Sequence, residues 1–213
     1  VALSGSGAVV LKPKVSPVGK LAAVIFFAAF WNGIVSVFVW QAVKGWMSGS
    51  PDWFLTLFMI PFVLIGLGLI GGIVYQLLAL FNPRPQLTLA AAALRLGSLS
   101  EVQWEIRGAV ARIGQLTISL EGREEAIYRR GTSTATDRSV FLKETVFETR
   151  DPRAMGTGRA ALAIPGDAMH SLEAPHNKIV WVIRVHGDIA RWPDVNEEFS
   201  LMVLPHGTAG GVA

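Results

Sequence analysis

The chain has 213 residues, 51% of them hydrophobic, and its mean hydropathy of +0.44 points to membrane residence. Four of the 19 basic and one of the 16 acidic residues precede residue 82, leaving 15 of each, so residues 82–213 are electrically balanced and the net charge of +3 lies before them. That balance disfavours nucleic-acid binding, which needs surplus basic charge, and the lack of cysteine excludes disulfides, thiol nucleophiles and cysteine-ligated metals.

The first apolar segment predicts a transmembrane helix. After an N-terminal tail of residues 1–20, Leu21 to Trp40 is a run of 20 residues without a charge. As a helix it would span about 30 Å, the thickness of a hydrocarbon core. The apolar region of a signal peptide is shorter and ends at a small-residue cleavage site. We therefore expect this helix to be retained.

A second uncharged run covers residues 53–81 and predicts a second transmembrane helix. Ser50-Pro51-Asp52 supplies a helix start, and Asn82-Pro83 supplies a stop. At about 43 Å the helix would exceed the hydrocarbon core, so it must tilt, bend near Pro61 or project beyond the lipid. Residues 21–81 are thus expected to form a two-helix membrane hairpin in contact with lipid.

The charges that flank the two runs predict their orientation. Basic residues concentrate on one side of the hairpin, at Lys12, Lys14, Lys20, Arg84 and Arg95. The connecting loop has Lys44, set against Asp52. Because cytoplasmic segments carry the excess of lysine and arginine, we expect both termini and the domain after the hairpin to be cytoplasmic.

Small residues predict where the two helices pack. Ala29 and Gly33 on the first helix, and Gly68 and Gly72 on the second, form small-xxx-small pairs at similar depth in an antiparallel hairpin. The surrounding GLGLIGG also resembles half of a dinucleotide-binding fingerprint, but that motif needs a preceding strand and a soluble helix start. We expect helix packing here and no cofactor.

Beyond Pro85 the apolar residues follow a period of two. Val102, Trp104 and Ile106 alternate with polar residues, and the longest such row runs from Ile179 to Val185. Seven or eight such runs, separated by glycine, proline and polar turns, predict an antiparallel β-sandwich over residues 82–213. The fold class expected is therefore a membrane α-helical hairpin joined to an all-β domain of arrestin-like or immunoglobulin-like type.

Two segments carry a family resemblance. AALAIPGDAMHSLEAPHNKIVWVIRVHGDIARWPDVNEEFSLMVLP, from Ala160 to Pro205, resembles the second half of an arrestin-like sandwich, and LTISLEGREEAIYRRG, from Leu116 to Gly131, is similar to an earlier strand pair of that fold. Uncharacterised bacterial membrane proteins with two transmembrane helices and one arrestin-like domain share this order. The resemblance implies residence in a bacterial inner membrane and a domain used for protein contacts. True arrestins have two sandwiches, so their receptor mechanism does not carry over.

The sequence predicts no catalytic or metal site. All four histidines fall late, at His170, His176, His186 and His206, and their spacing to the nearby carboxylates matches no known ligand motif. A two-residue spacing places His186 and Asp188 on one strand face. A metal-dependent enzyme using this C-terminal histidine and carboxylate region stays as an alternative.

The leading hypothesis is a non-enzymatic, membrane-anchored β-sandwich module that contacts another membrane protein or a multisubunit complex. Its candidate contact is Arg191, Trp192, Pro193 and Asp194, where a rigid aromatic stands beside charges. Trp192 has a second interpretation, as a cap on the sandwich core. An accessory subunit of a respiratory or photosynthetic membrane complex is the other alternative, with the hairpin as its docking element.

Overall fold

The computed structural model describes residues 2–3, 8–130 and 133–206. The chain divides into two compact units. The first, which we call the helical hairpin, runs from Val15 to Phe81. The second, which we call the β domain, combines the residues up to Lys14 with those from Asn82 onward.

Two long helices form the helical hairpin: α1 covers Pro17–Met47 and α2 covers Trp53–Ala79. The Ser16 side chain caps α1 by accepting a hydrogen bond from the Gly19 amide, and the Asp52 side chain does the same for the Leu55 amide at the start of α2. The helix α1 has 31 residues, more than the 20 of the uncharged run, because the helical backbone continues through the charged Lys20 and Lys44. The helix α2 has 27 residues and passes through Pro61.

The apolar side chains of both helices mostly face outward. In the most apolar stretch of each helix, 11% of the residues are buried. Large side chains such as Phe26, Phe54 and Leu64 are more than half exposed. A helix in the core of a soluble protein would bury most of this surface. Both helices are long and apolar enough to cross a membrane.

Eleven strands lie among the described residues of the β domain. They are β1 (Ala2–Leu3), β2 (Val9–Leu11), β3 (Arg84–Leu89), β4 (Ala93–Arg95), β5 (Leu99–Arg107), β6 (Gln115–Arg130), β7 (Ser133–Thr149), β8 (Thr157–Ala163), β9 (Leu172–Glu173), β10 (Asn177–Asp188) and β11 (Val195–Leu204). The first sheet has the order β1-β2-β3-β5-β8, and the second has the order β4-β11-β10-β6-β7 with β9 paired to β10. The β4–β11 pair is parallel and the other pairs are antiparallel.

The two sheets enclose one hydrophobic core, as a sandwich does. Inward residues of β3 and β5, such as Leu87 and Trp104, meet those of β6, β10 and β11, such as Ile118, Trp181 and Phe199. Alternation along each strand places these side chains on one face. The predicted β-rich architecture is thus confirmed. Residues 150–158 contain the short helix α3 (Pro152–Met155), capped by Asp151, and the start of β8.

The assignment of residues 1–20 to a tail needs correction. The strand β2 pairs with β3, with Val9 opposite Leu89 and Leu11 opposite Leu87. Val9 is 1% exposed and Leu11 is 4% exposed, so both contribute to the core. Farther along, the Lys14 amide donates to the Glu198 carbonyl of β11. Segments that precede α1 and follow α2 therefore belong to one domain, and residues 82–213 alone do not complete it.

Candidate functional site

The candidate partner contact, residues 191–194, lies in the loop between β10 and β11. Within it, Trp192 is half-buried and packs against the core of the β domain. The guanidinium carbon of Arg112 lies 4.4 Å from the centroid of its ring, a cation–π arrangement. The indole N–H donates to Asn82 Oδ1 at 2.8 Å. The large aromatic ring of this loop is thus already occupied by contacts within the domain.

Asn82, the first residue of the chain after the helical hairpin, is held by the same loop. Its side-chain amide donates to the carbonyls of Pro193 at 2.8 Å and Asp194 at 3.1 Å. The Asp194 carboxylate in turn accepts the Ile189 amide at 2.9 Å. One asparagine thereby binds the loop through both its donor and its acceptor. We call the group of Asn82, Arg112 and Trp192 the joint cluster.

The four predicted contact residues consequently divide into two pairs. Pro193 is buried, and Trp192 is half-buried beside the side chains of Asn82 and Arg112. Arg191 and Asp194 are exposed. Arg191 adopts a left-handed backbone conformation with φ of 58°, which turns the chain sharply before Trp192. The geometry favours the interpretation of Trp192 as a cap on the core over that of a free interface anchor. Asn82 and Arg112, which sequence reasoning missed, supply the cap's polar partners.

The predicted helix-packing residues also divide. Ala29, Gly33 and Gly68 are exposed, and a Cβ atom added to Gly33 or Gly68 would meet nothing within 4 Å. Of the three glycines, Gly72 alone approaches the other helix, where an added Cβ would lie 3.6 Å from Val24 Cγ1. The expected contact between Gly33 and Gly68 does not form.

The helices instead pack through Asn32 and Gly66. Asn32 donates from Nδ2 to the Ala28 carbonyl at 2.9 Å in its own helix and to the Gly66 carbonyl of α2 at 3.4 Å. Gly66 is buried because the amide of Asn32 occupies the space that a side chain would take. Next to Asn32 on α1, Trp31 donates from Nε1 to the carbonyl of Phe62, one turn before Gly66 on α2, at 3.1 Å. Polar side chains that hydrogen-bond across two apolar helices are a common means of helix association.

Replacing Gly66 with leucine is expected to loosen the helical hairpin by about 1–2 kcal/mol. A Cβ atom at Gly66 would lie closer than 3.0 Å to Asn32 Oδ1, so the leucine must displace the amide and break its interhelical hydrogen bond. The measurement is unfolding of the purified chain in mixed detergent, followed by tryptophan fluorescence. The control is Gly68→Leu, which has open space and should leave the transition unchanged. Equal effects of the two variants would contradict the packing described above.

The outer face of the second sheet carries a buried ion-pair network. Arg123, with 6% of its side chain exposed, pairs with Glu121 at 3.3 Å, Glu125 at 3.2 Å and Glu198 at 3.0 Å. Arg184 adds a 2.6 Å contact to Glu198. We call these five residues the outer-face network. Period two predicts that this face of β6 points to solvent, yet Glu121 is 4% exposed.

The network shifts the pKa values of Glu198 and Arg123. Burial by itself raises the pKa of Glu198, but the hydrogen bonds and charges of Arg123 and Arg184 outweigh it and hold that pKa below its ordinary value. Burial likewise lowers the pKa of Arg123, and the hydrogen bond and charge of Glu198 outweigh it and raise that pKa. Both shifts favour the charged forms. The network therefore depends on an ionised Glu198.

Acid is expected to destabilise the β domain through Glu198. Its folded-state pKa is lower than in the unfolded chain, so its stabilisation is complete above the ordinary glutamate pKa and is lost as pH falls through the depressed folded value. Thermal midpoints measured from pH 7 down to pH 3 should fall, and Glu198→Gln should flatten that dependence. A Glu198→Gln profile parallel to that of the wild type would contradict this assignment.

The histidines occupy different environments. His170 and His176 are exposed, and His206 contacts the Gly166 carbonyl at 2.6 Å. His186 lies 2.9 Å from Asp188, through Nε2 and Oδ1, and Asp194 stands beside them. The expectation that His186 and Asp188 share one strand face agrees with this contact. The addition of Asp194 follows from a strand pairing that the spacing along the chain does not reveal.

Comparison with known proteins gives likenesses to solved structures and no relative by sequence. No family model matches the sequence, and no curated protein matches it either. Among solved structures, the chain is similar to Spo0M, a sporulation control protein from Bacillus subtilis, with a TM-score of 0.41 and 13% sequence identity. The match covers 58% of this chain and spans half the length of that protein.

Proposed function

We propose that this chain is a non-enzymatic, membrane-anchored module whose β-sandwich contacts another membrane protein or a multisubunit complex at the membrane surface. The observation that carries the proposal is the pairing of β2 with β3. Because β2 precedes α1 and β3 follows α2, both ends of the helical hairpin connect to one folded domain. An anchor attached at both ends holds a domain at a surface.

The exterior of the helical hairpin supports insertion in lipid. Eleven per cent of the residues in each apolar stretch are buried, so the remaining apolar surface requires another cover. A bilayer covers such a surface without any specific partner. The tryptophans at the turn, Trp40, Trp46 and Trp53, fit the interfacial depth that this residue prefers. Lys44 lies 5.6 Å from the ring centroid of Trp40 and can extend toward the head groups.

The same pairing supports a defined topology. A strand that precedes the first helix can pair with one that follows the second only when both lie on the same side of the membrane. Cleavage after α1 would remove β2, with its buried Val9 and Leu11, from the sandwich. Basic residues also flank the helices on this side. We therefore propose that the termini and the β domain are cytoplasmic and that the protein lies in a bacterial inner membrane. We propose that the domain is an arrestin-like sandwich.

Mild-detergent purification of the full chain tests the proposal. A stoichiometric partner should co-purify. A second variant, in which residues 17–79 are replaced by an unrelated two-helix hairpin, should retain that partner because the contact is made by the β domain. Loss of the partner with the exchanged hairpin would favour the accessory-subunit alternative, in which the helices dock. The absence of a stoichiometric partner with both variants would overturn both functions.

A further inference from the structure

Three side chains that can bind a metal ion lie close together where β10 ends and β11 begins. His186 and Asp188 end β10, and Asp194 immediately precedes β11. One potential ligand atom from each residue lies within 4.8 Å of the other two. Among the described residues this is the group of histidine and carboxylate side chains that comes close enough to share one ion.

The strand register explains the convergence. The strands β10 and β11 pair antiparallel up to Gly187 opposite Val195, and Asp188 and Asp194 are the next residues on either side of the end of this pairing. Like charges that lie close together across two strands destabilise their pairing. His186, two residues earlier, lies on the same face as Asp188. The strands thus fix two ligands, and the loop brings the third.

The electrostatic surroundings of these aspartates differ from those of the carboxylates in the outer-face network. Glu121, Glu125 and Glu198 all have arginine partners in or beside the outer-face network. Within the described part of the chain, neither aspartate is paired with a lysine or arginine, and His186 is the cation-forming partner of Asp188. The two neighbouring carboxylates of Asp188 and Asp194 therefore lack a permanent counter-charge. With 39% of the His186 side chain and 56% of the Asp188 side chain exposed, a solvated ion can reach them.

We propose that His186, Asp188 and Asp194 form a zinc site. The ligands would be His186 Nε2 and one oxygen of each aspartate, with water in the fourth position. An imidazole ligand favours zinc over magnesium and calcium, which prefer oxygen. The Asp194 oxygen that accepts the Ile189 amide can keep that hydrogen bond while the other oxygen binds the ion. Bound zinc would neutralise the two neighbouring carboxylates.

The position of the site gives the ion a structural role. Asp194 and Pro193 hold Asn82 through their carbonyls, and Trp192 of the same loop packs on Arg112. An ion that links Asp194 to β10 would fix this loop and with it the joint cluster. Zinc binding is therefore expected to stabilise the segment at which the chain enters the β domain.

Isothermal titration of untagged, chelator-treated full-length protein in detergent with Zn²⁺ tests the site. One saturable site is expected. Asp194→Asn should weaken it by about tenfold or more while retaining an acceptor for Ile189, and His186→Ala should abolish it. The matched controls are His170→Ala and His176→Ala, two exposed histidines outside the site. Zinc should also raise the thermal midpoint of the wild type and of both controls, but not that of His186→Ala.

Two results would overturn the proposal. One is the absence of saturable zinc binding by the wild-type protein. The other is binding that persists in His186→Ala and Asp194→Asn but is lost in a control variant, which would identify adventitious binding by surface histidines. Either result leaves the proposed anchoring function intact, because that function does not depend on an ion.

Discussion

Substitution of Gly158 by alanine is expected to destabilise the β domain by about 3 kcal/mol, the upper end for overpacking a core. Gly158 stands directly opposite Trp104 in the β5–β8 pair, and an added Cβ would lie closer than 3.0 Å to Trp104 Cζ2. The indole cannot move away easily. It is 4% exposed, donates to the Met155 carbonyl at 3.2 Å and packs on Phe147 with ring centroids 4.4 Å apart.

Thermal unfolding of the full chain in detergent, monitored by near-ultraviolet circular dichroism, measures this effect. Gly156→Ala, two residues away, is the matched control. Gly156 has φ of −63°, and an added Cβ would meet nothing within 4 Å, so its midpoint should stay the same or rise slightly. If both variants unfold at the same temperature, the packing of Trp104 over the glycine is wrong.

Replacing Arg123 with methionine is expected to cost about 3 kcal/mol, because breaking a buried ion pair leaves charge without compensation. Glu121, with 5% of its side chain exposed, and Glu125, with 13%, both lose their contact to Arg123. Methionine keeps the apolar bulk of the side chain, so the loss reflects charge more than packing. Arg184 still contacts Glu198 and Glu121, and Arg138 still contacts Glu125, so part of the charge compensation remains.

The control for Arg123 is Arg107→Met. Arg107 pairs with Glu105 at 2.9 Å, but the side chains are 67% and 50% exposed. Solvent screens such a pair, so this substitution should leave the unfolding midpoint unchanged. Similar midpoints for Arg123→Met and Arg107→Met would show that the outer-face network contributes no more than a surface pair.

Periodicity predicted the β-rich domain because apolar residues alternate along long strands. The row from Ile179 to Val185 and the row around Trp104 both face the core as expected. The strand β2 was not predicted, because its three residues, Val9 to Leu11, are too few to establish a period. The outer-face network was not predicted, because alternation identifies the polar face of a strand but does not show whether that face is buried.

The helix contact illustrates a different limit. Small-residue spacing identified Gly33 and Gly68, but spacing alone does not give the rotation of each helix about its axis. The polar side chain of Asn32 does indicate this rotation, because it needs a hydrogen-bond partner and therefore faces the other helix. Its partner on the other helix is the Gly66 carbonyl. The Asp194 position in the proposed zinc site likewise depends on a register that only the strand pairing supplies.

Labelling of single cysteines in sealed membrane vesicles tests the central claim, that the helical hairpin crosses the bilayer and returns to one β domain. The natural chain has no cysteine, so Ser48→Cys in the turn, Lys12→Cys before α1 and Lys143→Cys in β7 each give one reporter. With a membrane-impermeant maleimide, Ser48→Cys should label from one side, and Lys12→Cys and Lys143→Cys only from the other. Labelling of Ser48→Cys and Lys143→Cys from the same side would contradict the account.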